Sequence, residues 1–283
     1  MTSNNMPPAA IRWWGLTDPG RFRKKNEDAF LGLQLDGLEV FRLGSQGQGS
    51  FGQGDFVFAV SDGMGGAQAG EYASQIAVDK ISELLPRSFR LKATGLHPGG
   101  EDFLEELFER THQEMVNLGR AYEETAGMGA TLSLIWFTPE KAYFGHAGDS
   151  RLYHLARNSP IQQVSYDHTH VGWLVRQGKL SELEARRHPA KAALQMALGG
   201  KIRNVEPQLG TILYEPGDWF VLCTDGITDG VSTSKIEGLV REPPPRDSDL
   251  PPPKRLVNEA AFTSRDNMTA IVLQILEPEG NAE

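Results

Sequence analysis

Residues 56–66 read Phe-Val-Phe-Ala-Val-Ser-Asp-Gly-Met-Gly-Gly, an apolar run of strand-forming residues that ends in an aspartate followed by glycines. A helical pattern follows at residues 70–85. The sequence therefore predicts a strand, a sharp glycine turn and a helix, with the carboxylate of Asp62 at the strand end. For this stretch alone, a cation site and an ordinary glycine-rich turn are equally good interpretations.

Four further segments carry a carboxylate beside glycine or asparagine. They are Asn26-Glu27-Asp28, Gly148-Asp149-Ser150, Thr224-Asp225-Gly226 and Asp266-Asn267. Most of them adjoin a short apolar run, so a fold that aligns the strand ends would bring the acids together. Hard divalent cations such as Mg²⁺ and Mn²⁺ select this all-oxygen ligand set, and the long separations exclude a local EF-hand loop. For Asp149 and Asp229, a turn residue and a helix cap remain the alternative interpretations.

Short runs of β-branched and aromatic residues predict strands. They occupy residues 56–60, 131–137, 142–146, 151–155, 219–223 and 269–276. Helical patterns lie at 70–85 and 101–122, and Ser181 with Glu184 forms a capping box that predicts another helix start. Helices inserted between groups of strands, without regular alternation, favour an α+β layered domain over a doubly wound sheet.

The remaining segments set the expected domain limits. Residues 1–10 are predicted to be a flexible N-terminal tail, and 11–283 a single domain, because nothing in the chain marks a division. The glycine- and glutamine-rich stretch 44–54 is expected to be a flexible hairpin loop. The proline-rich stretch 242–253 is expected to be a stiff surface loop, with a polyproline ligand for a partner as the alternative.

Composition narrows the class of partner. The chain has 28 basic and 37 acidic residues and a net charge of −9, which argues against nucleic acid or an anionic membrane as a partner. Cys223 is the only cysteine and lies in an apolar run, so we predict a core residue, no internal disulfide and a reducing compartment. Without a signal region or a membrane-length apolar stretch, the predicted location is cytoplasmic.

The order of these motifs, from Gly15 to Leu276, resembles that of the metal-dependent serine/threonine protein phosphatases, the type 2C or PPM family. The resemblance implies a sandwich of two mostly antiparallel sheets flanked by helices. It also implies a helical flap beside the active site, at about residues 167–200. Two divalent cations, Mn²⁺ or Mg²⁺, are implied as cofactors, with a weaker third ion.

The resemblance also assigns roles to the acids. Asp62 would bridge the two ions, with the carbonyl of Gly63 as a further ligand. Asp225 and Asp266 would complete the first metal site, and Glu27 would reach the second. Asp28 would orient bound water, and Asp149 and Asp229 would hold a third ion.

Arg23 matches the family position that binds the substrate phosphate, and a planar guanidinium can hold two phosphate oxygens. Its neighbours Arg21, Lys24 and Lys25 could equally form a solvated basic run, so the choice of Arg23 rests on the resemblance. Eukaryotic relatives have a histidine at the position of Met64, whereas bacterial-type members also have a methionine there. Methionine cannot donate a proton, so the sequence assigns no general acid.

The resulting prediction is a bacterial-type phosphatase that removes phosphate from serine and threonine in proteins. Water activated by the metal pair would attack phosphorus in line, without a phosphoenzyme. The expected substrates are phosphoproteins made by a Ser/Thr kinase, and the expected state is a monomer. A catalytically silent module that binds phosphoproteins and a hydrolase of small phosphoesters are the alternatives, and the complete set of acids favours the enzyme.

Overall fold

The structure, a computed structural model, describes residues 9–36, 39–65, 69–93 and 99–277, and for residues 86–93 only the backbone. The strands are β1 (Ala10–Asp18), β2 (Asp28–Asp36), β3 (Glu39–Arg42), β4 (Gln46–Ser50), β5 (Asp55–Met64), β6 (Gly129–Ala130), β7 (Leu132–Phe137), β8 (Ala142–Ala147), β9 (Arg151–Leu155), β10 (Gln162–Gln163), β11 (Leu198–Gly199), β12 (Gln208–Ile212), β13 (Trp219–Cys223) and β14 (Met268–Leu276). The helices are α1 (Ala69–Ala93), α2 (Gly100–Ala121), α3 (His170–Arg176), α4 (Glu182–Arg187), α5 (Asp225–Thr228), α6 (Thr233–Arg241) and α7 (Pro252–Ala260). Residues 1–8 of the predicted tail lie outside the described residues, and Ala10 already belongs to β1.

These strands form two sheets. The first has the order β10-β9-β13-β14-β1-β4. In the second, β5 pairs with β2 on one side and with β6 and β7 on the other, while β3, β8, β11 and β12 extend the sheet outward. The pairings between these strands are antiparallel, which confirms the implied sheet type.

Alternation along the strands divides the side chains between two faces. In β13, Phe220 and Leu222 pack between the two sheets, whereas Val221 and Cys223 face the helices on the outside. Cys223 is fully buried, and this burial raises the pKa of its thiol to about 12. The prediction that Cys223 is a core residue is therefore confirmed.

Helices cover both outer faces of the sandwich. Buried residues of α1 and α2 pack on β2, β5 and β7 of the second sheet. Buried residues of α5, α6 and α7 pack on β9, β13 and β14 of the first sheet. The order of layers is therefore helix, sheet, sheet, helix, as the resemblance implies. None of the described helices combines the length and apolar composition needed to cross a membrane.

The stretch 44–54 differs from the expected flexible loop, because residues 46–50 form β4 and pair with β1. Its glycines make room for large rings beneath the strand. A Cβ on Gly47 would lie 2.3 Å from the ring of Trp13, and one on Gly49 would lie 2.5 Å from Phe56. The low strand propensity of this sequence is therefore outweighed by packing against aromatic side chains.

The proline-rich stretch 242–253 is also more ordered than a surface loop. Pro252 and Pro253 are buried and begin α7, where proline is well suited to the first helical turn. The flap contains a helix pair, α3 and α4, and the capping box of Ser181 and Glu184 opens α4 as predicted. Its return strand β11 pairs with β6, next to the glycine turn that ends β5.

Candidate metal centre

The strand-end acids lie at one end of the sandwich. In the register between β2 and β5, Asp28 stands opposite Asp62. Asp149 lies in the turn between β8 and β9, and Asp225 follows β13 as the first residue of α5. Asp266 precedes β14, whose first residues pair with the end of β13. Antiparallel pairing therefore brings the acids to the same end of the fold.

Asp62 is surrounded by like charges. Burial raises the pKa of its carboxyl well above the ordinary value, and the charges of Asp28, Asp225, Asp149 and Asp266 raise this pKa further. Asp62 and Asp225 also act on each other's carboxyl pKa. Carboxylates from five separate parts of the chain thus act on one another in a partly buried space.

The donor chemistry fits divalent cations. Burial raises the pKa values of Asp225 and Asp28 to about 7, and the charge of Asp266 contributes to both shifts. Within the described part of the chain, the Oδ1 atom of Asp225 is buried without a hydrogen-bond partner. Buried carboxylates without donors are costly as anions, and a hard cation offsets that cost. Among the described residues, no three acidic, histidine or cysteine side chains form a ready coordination shell.

Glycines let the backbone segments of the centre approach closely. A Cβ on Gly63 would lie 1.9 Å from the carbonyl oxygen of Gly70 and 2.8 Å from that of Glu27. The N–H of Gly63 donates to the same Glu27 carbonyl at 3.0 Å. A Cβ on Gly70 would lie 2.8 Å from the Glu27 carboxylate. Glu27 is therefore held against the glycine turn that follows Asp62.

Threonines next to the acids fix the orientation of Asp28. The hydroxyl of Thr224 donates to Asp28 Oδ2 at 2.8 Å and accepts from the N–H of Thr269 at 3.1 Å. The hydroxyls of Thr269 and Thr17 lie 2.6 Å apart. Sequence reasoning misses these residues, although a hydroxyl side chain directly before Asp225 is a signal that could have found Thr224.

Asn267 joins three backbone segments. Its Oδ1 accepts from the N–H of Glu27 at 2.8 Å, and its Nδ2 donates to the carbonyls of Pro19 at 3.0 Å and Lys25 at 2.9 Å. The side chain is buried. Both ends of the loop at residues 19–25 are therefore tied to the residue that follows Asp266.

Arg23 extends from this loop to the acids. Its Nη2 lies 2.6 Å from Asp266 Oδ2, and this hydrogen bond raises the pKa of the guanidinium above its ordinary value. The charges of Glu27 and Asp62 also act on Arg23. The Nζ atom of Lys25, by contrast, lies 3.7 Å from Oε2 of Glu71, which is not one of these acids. Arg23 remains about half exposed, so its other donors are open to a ligand.

A cavity of about 380 Å³ separates the flap from the acids. Asp149, Asp225 and Asp229 line one side, and residues of α3 and α4 line the other. From the flap, the ammonium of Lys191 reaches Asp229 Oδ2 at 2.5 Å. The carboxylate expected at a third ion is thus paired with a lysine of this chain.

One protein family and several known proteins match this chain over most of its length. The family model described as protein phosphatase 2C matches residues 46–245. Protein phosphatase PhpP of Streptococcus pneumoniae is 30% identical over 226 residues, which cover 80% of this chain and 88% of PhpP. Serine/threonine protein phosphatase PstP of Mycobacterium tuberculosis is 31% identical over 272 residues, covering 94% of this chain and 45% of PstP.

Solved structures share the fold. The catalytic domain of serine threonine protein phosphatase PstP in complex with two manganese ions superposes with a TM-score of 0.70 and 28% identity. The alignment covers 95% of this chain and 99% of that one. The relatives in sequence and in structure therefore agree with one another and with the fold described above.

Proposed function

The chain belongs to the protein phosphatase 2C family and is a serine/threonine protein phosphatase that depends on divalent metal ions, and from this premise we propose a role for each acidic residue of the site. Asp62 would hold both of two cations, Mn²⁺ or Mg²⁺, with the Gly63 carbonyl as a further ligand. Asp225 and Asp266 would complete the first site, and Glu27 would reach the second. The observation that carries the proposal is the partly buried cluster of mutually repelling aspartates, with a buried oxygen on Asp225 that has no partner among the described residues.

Once bound, the ion pair supplies an acidified water and offsets charge on the phosphoryl oxygens. The chain's own residues supply orientation. Asp28, fixed by Thr224, accepts a hydrogen bond from the attacking water and aims it at phosphorus. Water as the nucleophile requires no phosphoenzyme intermediate.

Arg23 is proposed to bind the substrate phosphate. Asp266 holds one edge of the guanidinium, so the remaining N–H groups are oriented toward a phosphoryl group at the cluster. Asp149 and Asp229 are proposed for a weaker third cation, which would have to displace Lys191 from Asp229.

The setting of the reaction is a further part of the proposal. We propose that residues 11–283 act as a single catalytic domain and a monomer, in the cytoplasm, on phosphoproteins made by a Ser/Thr kinase. The net charge of −9 and the single buried cysteine support this setting.

Removal and return of the metal test the proposed function. We expect EDTA to reduce hydrolysis of a phosphothreonine peptide to background and excess Mn²⁺ or Mg²⁺ to restore it. At a hundredfold excess over Kd, one bound ion adds about 2.7 kcal/mol, which raises the melting temperature by about 5–10 °C. A chain that hydrolyses the peptide equally in EDTA would contradict the proposal, and one that only binds the peptide would be a silent module.

Replacing Arg23 with alanine tests the phosphate contact. We expect the KM for a phosphopeptide to rise about tenfold or more, because a charge-assisted contact to phosphate is lost. The affinity for Mn²⁺, measured by calorimetric titration, should not fall, since the variant removes a positive charge beside Asp266. Arg21→Ala is the matched control in the same loop, and both variants are measured with a phosphopeptide whose flanking residues are alanine. An unchanged KM in the Arg23 variant together with a raised KM in the control would transfer the role to Arg21.

A further inference from the structure

The loop that presents Arg23 carries an unusual concentration of positive charge for this chain. Residues 19–25 and 264–267 together contain five cationic side chains and a single acidic one, in a protein with a net charge of −9. Residues 21–25 and Arg265 are exposed. Positive potential is thus concentrated beside a centre that is otherwise strongly acidic.

Two of these five cations already have acidic partners. Arg23 is held by Asp266, and Lys25 lies near Glu71. For Arg21, Lys24 and Arg265, no ion pair is found within the part of the chain that the structure describes. Three charges therefore remain directed toward solvent, and an acidic partner could reach them.

An exposed aromatic side chain lies among these charges. Phe22 is 61% exposed, and the guanidinium of Arg265 stands over its ring at 5.5 Å from the centroid. This contact joins the same two segments as the Arg23–Asp266 pair. We call the surface formed by Arg21, Phe22, Lys24 and Arg265 the basic rim.

The basic rim is held in place before any ligand binds. Asn267 bonds the carbonyls at both ends of the loop, at Pro19 and Lys25. A Cβ on Gly20 would lie 2.6 Å from the carbonyl oxygen of Asp266, so the loop backbone packs directly against the second segment. A surface with this rigidity loses little entropy when a partner binds.

We infer that the basic rim binds acidic residues flanking the phosphorylated residue, so that the enzyme prefers phosphopeptides with glutamate or aspartate beside the phosphosite. The inference rests on the proposed function, because it takes Arg23 as the phosphate contact. With the phosphate at Arg23, the adjacent residues of an extended peptide pass over Lys24 and Phe22. Their carboxylates then meet unpaired cations, and the ring of Phe22 covers the peptide backbone.

The test compares three phosphothreonine peptides that differ only in their flanking residues, which are glutamate, alanine or lysine. The measured quantity is the ratio of kcat/KM for the acidic peptide to that for the basic peptide, because this ratio cancels changes in the chemical step. At low salt we expect a ratio of about 10 for the unchanged enzyme, since each exposed pair contributes modestly. In 0.5 M NaCl the ratio should fall toward 1.

Charge reversal at the rim provides the decisive comparison. The double variant Lys24→Glu, Arg265→Glu should lower the ratio to 1 or below. The control Arg110→Glu, Arg246→Glu changes the net charge equally, at exposed positions of α2 and of the turn before α7, and should keep the original ratio.

Three outcomes would overturn the inference: a ratio near 1 in the unchanged enzyme, a ratio that survives reversal at the rim, or an equal loss in the control. Hydrolysis of para-nitrophenyl phosphate, which has no flanking residues, separates this failure from that of the proposed function. If neither this substrate nor any peptide is hydrolysed in Mn²⁺, the phosphatase proposal fails, and the inference fails with it.

Discussion

Replacing Asp62 with asparagine is expected to lower kcat for a phosphopeptide in Mn²⁺ by about a thousandfold or more, because the proposed ligand of both ions loses its charge. The amide has nearly the same size and can still accept from the surroundings of the strand end. The loss should therefore appear as lost chemistry and lost metal binding in a folded protein. Steady-state kinetics and Mn²⁺ titration by calorimetry measure the two effects.

The same variant should be more stable than the unchanged chain when no metal is present. The pKa of Asp62 is raised in the fold, so ionisation of this group opposes folding at neutral pH. Asparagine removes that cost, and the melting temperature in EDTA should rise by a few degrees while the increase caused by Mn²⁺ shrinks.

A suitable control for Asp62 is Asp79→Asn, which removes one negative charge from an exposed position on α1. Its activity and its response to Mn²⁺ should match those of the unchanged chain. Turnover by the Asp62 variant at the level of this control would refute the bridging role.

Replacing Gly226 with alanine should damage stability and activity together. The added Cβ would lie 1.8 Å from the carbonyl oxygen of Asn267. This oxygen belongs to the backbone, so it cannot move away as easily as the end of a flexible side chain. We expect the free energy of unfolding, measured with urea in EDTA, to fall by about 3 kcal/mol. Because Asp225 and Asp266 are neighbours of the clash, Mn²⁺ affinity should fall as well.

Gly238→Ala is the matched control for this substitution. Gly238 lies within α6 with no atom inside 4 Å of an added Cβ, so alanine there should stabilise the helix by about 0.5–1 kcal/mol. If the two glycine variants unfold at the same urea concentration, the close approach between α5 and Asn267 is not a structural requirement.

Sequence reasoning is most successful where one local signal is enough. Most of the acid segments stand beside an apolar run, and these runs predict strands β7, β8, β9, β13 and β14. The α+β layered domain follows from helices inserted between groups of strands, and the sandwich of two sheets follows from the family resemblance. The helix α1 extends to Ala93, beyond the predicted end at residue 85, and runs through Pro86, although proline ordinarily marks a helix end.

The features that were missed depend on partners far away in the chain. Strand β4 exists because the rings of Trp13 and Phe56 fill the space that its glycines leave. The pairing of Asp229 with Lys191 joins a residue of the flap to the residue that directly follows α5. Asn267 looks like an ordinary turn residue until its bonds to Pro19 and Lys25 are known. No pattern within a short window contains these distances.

The position of β14 has a consequence for how the enzyme is made. This strand lies between β1 and β13, so the first sheet remains split until residues 268–276 are in place. Asp266 and Asn267 arrive with it, and they complete the proposed metal ligands and the support for Arg23. With the proposed ligands, a nascent chain that ends short of this segment lacks part of the metal site and the support for Arg23, so we expect catalytic competence only after the sheet closes.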